Sequence, residues 1–340
     1  MRKTHFIYLF VLFICTLFSS CIKEDTCDQT YAGNLKALWK TIDEHYCFLD
    51  YKQQEYGLDW NEVYDRYSKY ITPDMSEKQF FEVCGNMLAE LKDGHVNLSS
   101  SYNMARYWEW YENYPANFSD SIQRKYLGTD YMITQGIKYK ILDNNIGYIY
   151  CPSFDYNFGS GNLSAIFSHL AICTGIVLDV RNNSGGQLTS AEALAECFIE
   201  KETIGGYICH KTGKGHSDFS SPQAIKLTPA KGIRWQKPVA VLTNRNSYSA
   251  TNTYVEYMKG CSQATIIGDR TGGGGGMPFS SELPNGWAVR FSACPMYDIH
   301  MNLVENGISP DIKVDISSTD WANGTDTILE TAFQYLLNKQ

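Results

Sequence analysis

The stretch Pro238 to Met258, PVAVLTNRNSYSATNTYVEYM, carries the pattern from which the fold is read. Val239-Ala240-Val241-Leu242 is a short apolar run, Thr243-Asn244-Arg245-Asn246 is polar, and a helical pattern begins after Ser247-Tyr248-Ser249-Ala250. A strand that passes through a turn into a helix is the repeating step of an α/β domain. Ser249 stands at that junction. A hydroxyl there lies at the carboxyl edge of a sheet, beside free helix N–H groups that can stabilise an oxyanion. Serine is equally a favoured helix N-cap, and on this stretch alone capping is the simpler reading.

The same step recurs on either side. Ile176-Val177-Leu178 leads to the Gly185-Gly186 turn and a helical pattern from Ala191 to Phe198, and Thr265-Ile266-Ile267 leads to the run Gly272 to Gly276. Ile137, Tyr139 and Ile141 alternate up to Asp143-Asn144-Asn145, and Ile146 to Tyr150 follows as the second arm of a hairpin. Pro284-Asn285-Gly286 marks another hairpin, and Leu329 to Leu337 a closing helix. Residues 137–340 therefore read as an α/β domain with a largely buried sheet.

Upstream, residues 33–98 read as a small helical domain. Leu35, Leu38, Trp39, Ile42 and Tyr46 share one face; Trp60, Val63, Tyr64, Tyr67 and Ile71 a second; Phe80, Val83, Cys84, Met87, Leu88 and Leu91 a third. Ser76 with Gln79 predicts a capping box at the start of that third helix. Residues 99–136, rich in Tyr, Trp, Asn and Ser and without a period, are a connector or a surface feature near the site.

The first twenty residues have the layout of a secretory signal: Arg2 and Lys3, an apolar run from Phe6 to Phe18, then Ser19-Ser20-Cys21. The run is too short to span a bilayer, and small residues before a cysteine resemble the lipobox of bacterial lipoproteins. Cys21 is the expected lipidation site, residues 21–32 a tether, and the bacterial envelope, at the outer membrane, the expected location. A net charge of -8 with no basic block argues against a nucleic-acid partner. None of the eleven cysteines forms a Cys-x-x-Cys or a zinc-spaced Cys/His cluster, so no metal is expected.

Three further segments join Ser249. They are Leu91-Lys92-Asp93-Gly94-His95 at the end of the third helix, Leu178-Asp179-Val180-Arg181-Asn182-Asn183-Ser184-Gly185-Gly186, and Glu305-Asn306-Gly307-Ile308-Ser309-Pro310-Asp311-Ile312. Together and in this order they resemble the C-terminal processing, or tail-specific, serine peptidases in their tricorn-type branch. The resemblance implies a Clp protease/crotonase-like β-α superhelix behind an N-terminal helical bundle, acting on polypeptides without a cofactor. It places Ser249 on the nucleophile, His95 on the general base, Glu305 on the acidic member of the charge network, and the N–H groups of Gly185 or Gly186 and Ala250 on the oxyanion hole.

Two departures from the family pattern matter. The processing branch pairs its serine with a lysine about 25 residues later, where this chain has glycines, so another base must take the serine proton. Histidine has a suitable ordinary pKa of about 6.5. His45, His169, His210, His216 and His300 compete with His95 on composition alone, and His95 could be a C-terminal helix residue. Gly94 stands where the tricorn-type site has a serine linking histidine to glutamate, so Glu305 must reach His95 directly, through water, or serve another purpose. The interval from His95 to Ile137 is too short for an inserted PDZ domain. The rival classes are a non-catalytic protein on the same fold that binds an apolar or sugar ligand, and an α/β-hydrolase esterase, which the missing Gly-x-Ser-x-Gly elbow disfavours. Asp179 and Arg181 read as braces for the turn.

Overall fold

The computed structural model describes residues 28–339. The signal segment, Cys21, Cys27 and the greater part of the tether lie outside the described residues.

Burial on both faces organises the larger sheet. Strands β5 (Ile146–Tyr150), β6 (Gly175–Asp179) and β9 (Val239–Thr243) are buried at every position, which is why each reads as a continuous apolar run. With β10 (Ala264–Gly268) and β13 (Ile312–Lys313) they run parallel; β4 (Ile137–Ile141) and β3 (Met132–Thr134) complete the edge antiparallel, giving the order β13-β10-β9-β6-β5-β4-β3. Alternation sends Val239 and Val241 to one face, against helices Ser160–His169, Leu188–Glu196 and Ala250–Lys259. Ala240 and Leu242 point the other way, onto the closing helix Thr327–Leu337.

The second sheet is antiparallel and built around the long strand β12 (Ala288–Tyr297). It pairs with β11 (Gly276–Glu282) across the expected Pro284-Asn285-Gly286 turn, and with β1 (Asn97–Ser99) and β7 (Thr203–Ile208); β2 (Met104–Arg106) and β8 (Gln223–Leu227) lie outermost. The N-terminal helices Tyr31–His45, Trp60–Ser68 and Glu77–Ala89 cover this sheet, so Leu38, Ile42, Phe80 and Met87 share one core with Trp287, Val289 and Phe291. The capping box at Ser76 is present in full. A fourth helix, Leu49–Tyr56, was not legible, because it buries only Leu49 and Lys52 and shows no apolar stripe.

The connector contains β1's last residue, β2, two short helices (Glu109–Glu112 and Asp120–Leu127) and β3. Three-residue strands are too short to show a period. Arg181 is fully buried and braces the sheet end as expected: its guanidinium donates to Asp179, to Asp326 and to the Asn117 carbonyl. Every described cysteine is a buried free thiol.

Candidate active site

The loops that leave the central parallel strands are laced together, and this lacing sets the position of Ser249. After β9, Asn244 exchanges hydrogen bonds with Asn182, which follows β6, and the Ser247 hydroxyl donates to the Val180 carbonyl at 2.9 Å. The Tyr248 N–H donates to the Asn183 carbonyl and the Ser249 N–H to the Gly273 carbonyl, at 3.1 and 2.9 Å. Held from both sides, Ser249 takes φ 58° and ψ -122°, and its side chain makes no capping bond to the helix it precedes. A non-glycine residue in that region stores strain of about 1–3 kcal/mol. The side-chain cap alternative therefore fails, since the hydroxyl makes no bond to the helix N–H groups it would cap.

It faces His95. The His95 Nε2 lies 2.9 Å from the Ser249 Oγ, across 154 residues of sequence. His95 follows the helix Glu77–Ala89 after a left-handed turn at Lys92 (φ 47°), and the Asp93 carboxylate accepts the His95 backbone N–H at 2.6 Å. Asp93 is itself buried and also accepts the hydroxyls of Tyr46 and Ser292, from the N-terminal helices and from β12. The histidine is thus fixed where the two layers meet. Burial pushes its pKa down to about 4; the nearby Asp93 charge opposes the shift, and Arg290 and Arg106 add to it. The ring is neutral at physiological pH, the state a base requires.

Glu305 makes no direct bond to His95, one of the three arrangements left open for it. Its carboxylate accepts the Gly275 N–H at 2.9 Å and lies 3.8 Å from the Lys52 ammonium. Its pKa is raised to about 8, chiefly by burial and then by Asp93, while Lys52 and the Gly275 N–H pull it down. The buried Nδ1 of His95 has no hydrogen-bond partner among the described residues. Gly94 explains the missing link in part. A Cβ at that position would stand 2.5 Å from Trp110 Nε1 and 2.8 Å from the Tyr248 hydroxyl, so a serine does not fit without displacing Trp110.

The oxyanion candidates separate. Gly185 packs against the nucleophile loop, where an added Cβ would lie 2.9 Å from the Ser249 Cβ, but its N–H is taken by the Asn183 side chain at 3.0 Å. The N–H groups of Gly186 and Ala250 donate to no acceptor among the described residues. A polar cleft of about 260 Å³ adjoins the site, walled by Gly94, Trp110, Arg245, Tyr248, Arg270 and Glu305; Ser249 and His95 themselves do not line it. Trp110, from the connector, stacks on Tyr248 with ring centroids 4.0 Å apart, and Tyr248 in turn lies 4.9 Å from the His95 ring. Of the competing histidines, His216 pairs with Asp43 and Asp50, and His210 contacts Cys294.

Known proteins share this arrangement of chain. The profile of peptidase family S41 matches residues 145–314, and that of the tricorn protease C1 domain matches residues 28–89. The chain belongs to peptidase family S41. This S41 peptidase is 29% identical over 199 residues to a protein of Sulfurisphaera tokodaii named as a tricorn-like protease C-terminal subunit, covering 57% of this chain and 21% of that one. It is 29% identical over 173 residues to a protein of Staphylococcus epidermidis named as a CtpA-like serine protease, covering 50% of this chain and 34% of that one. The chain therefore spans about a third or less of the length of these two relatives. A crystal structure of a protein named as a peptidase, from Parabacteroides merdae, is 49% identical, covers 91% of this chain and 98% of its own, and has a TM-score of 0.87. Mature CPAF bound to lactacystin, at 12% identity and a TM-score of 0.72, shares the fold, covering 92% of this chain and 99% of its own.

Several residues of the S41 peptidase site gave no usable signal in the sequence. Asp93 lay inside a quoted motif, yet nothing local shows that it accepts bonds from residues 46, 95 and 292. Lys52 and Trp110 reach the site from segments without a motif.

Proposed function

We propose that this S41 peptidase cleaves polypeptides internally by acyl transfer, with Ser249 as nucleophile and His95 as general base. The observation that carries this reading is the 2.9 Å contact between His95 Nε2 and a Ser249 hydroxyl held outside any cap. Ser249 attacks the scissile carbonyl carbon while His95 takes its proton and then returns it to the leaving amine; water repeats the sequence on the acyl-enzyme. The Gly186 and Ala250 N–H groups receive the developing oxyanion, and Gly185, its N–H occupied, shapes the loop. Glu305 acts on the loop behind the serine and not on the imidazole. Cys21 carries the lipid that anchors the chain to the bacterial outer membrane, which the lipobox-like Ser19-Ser20-Cys21 supports.

A fluorophosphonate probe tests the chemistry. Wild-type protein should be labelled, with labelling lost in Ser249→Ala and slowed by at least about a hundredfold in His95→Ala. A folded wild type that is never labelled would return the protein to the ligand-binding class. For the anchor, a metabolic fatty-acid label should enter the wild type and not Cys21→Ser. A soluble, unlabelled wild type would exclude lipidation.

A further inference from the structure

The buried pair Lys52–Glu305 joins parts of the chain that no local pattern connects. Lys52 comes from the helix Leu49–Tyr56, and Glu305 from the loop after β12; both side chains are 4% exposed, and Nζ lies 3.8 Å from Oε1. A lysine is almost never fully buried without a partner, and taking both charges from water costs several kcal/mol per ion, so the pair must hold something that benefits from being fixed. What it holds is the glycine run. The second carboxylate oxygen of Glu305 accepts the Gly275 N–H at 2.9 Å, and its backbone carbonyl accepts the Gly274 N–H at 3.1 Å. The next residue along, Gly273, pairs with Tyr248 in an isolated parallel bridge, and its carbonyl accepts the Ser249 N–H. The contacts form a continuous path: ammonium, carboxylate, glycine run, nucleophile.

From this path we infer that Lys52 is a positioning residue for the Ser249 nucleophile, acting through Glu305 and the glycine run. The inference rests on the serine-peptidase reading and goes beyond it in giving the N-terminal helix Leu49–Tyr56 a part in catalysis. The family's lysine, expected after the serine in the processing branch, is absent here. Lys52 does not replace it as a base, because His95 already occupies the Ser249 hydroxyl. Its charge acts one step behind, opposing the upward pull of burial and Asp93 on the Glu305 carboxyl and holding that group in reach of Gly275.

The test uses the full mature chain, an unstructured polypeptide substrate and the fluorophosphonate probe. Lys52→Met should lower kcat and the labelling rate by roughly tenfold or more while moving KM less than about twofold, since the substrate is bound but the nucleophile is misplaced. Lys52→Arg should recover most of the loss. Because Lys52→Met leaves a buried carboxyl group unpaired, at a cost to folding, Lys52→Met/Glu305→Gln is made as well, beside Glu305→Gln alone. If Lys52 works through Glu305, the double variant is no slower than Glu305→Gln; losses that multiply would overturn the path. A folded Lys52→Met with wild-type kcat and labelling rate would overturn the inference and leave the peptidase reading standing. An unlabelled wild type removes both.

Discussion

Burial decides how the candidate general base behaves. His95, 5% exposed, has its pKa lowered to about 4 from an ordinary 6.5. The folded state favours the neutral ring, so the stability associated with His95 is complete above pH 6.5 and is lost as pH falls from 6.5 towards 4, up to about 3 kcal/mol. The same depression puts the acid limb of kcat/KM near pH 4, well below the limb an exposed histidine would give. Short assays from pH 3.5 to 8 check this, and an inflection that stays near 6.5 would mean that the His95 ring is not depressed in the folded enzyme; loss of that limb in His95→Ala identifies the group. Gly273 gives a second prediction at this scale. It has φ +86°, and an added Cβ would stand 1.8 Å from the Glu305 carbonyl oxygen. Gly273→Ala should therefore displace the loop behind Ser249, costing roughly 2 kcal/mol or more of stability and most of the activity, measured by urea unfolding and probe labelling.

Elements differ in how openly the chain announces them. The fully buried strands were legible as continuous apolar runs and the amphipathic helices by their periodic burial; β9 and the helix Glu77–Ala89 are examples. Leu49–Tyr56 was not, because the buried residue at its centre is a lysine. The capping box shows what a local signal is worth. Ser76 accepts the Gln79 N–H, and the Gln79 side chain accepts the Ser76 N–H at 2.8 Å, closing the start of the helix that leads to Asp93 and His95. Ser76→Ala should cost about 1 kcal/mol and lower Tm by roughly 2–4 °C, while activity at ambient temperature stays near wild type. Calorimetry and a labelling assay on the same sample read both. A large loss of activity at unchanged Tm would mean that the cap tunes the site directly.

At the scale of the whole molecule, the site exists only where the two sheets and the N-terminal helices meet. Trp287, just before β12, and Val289 and Phe291 within it are covered by helices from the first ninety residues, so a chain starting at Asn97 would expose that apolar face and lose His95. Such a fragment should aggregate and take up no fluorophosphonate, tested by expression with and without the missing segment supplied in trans. Arg181 provides the complementary test in the larger sheet. With Asp179 and Asp326 both paired to it in the core, Arg181→Met leaves buried carboxylates unbalanced and should cost about 3–5 kcal/mol in urea unfolding. The sequence by itself determined the strand-and-helix alternation, the hairpins, the capping box and the order of the motifs, because each depends on residues a few positions apart. Only the tertiary structure decided that Ser249 is aimed at His95 and is not a cap, that Glu305 serves the glycine run, and that Lys52 stands behind it. Those outcomes depend on a positive φ held by neighbouring loops and on contacts between residues 154 and more positions apart, which no local spacing encodes.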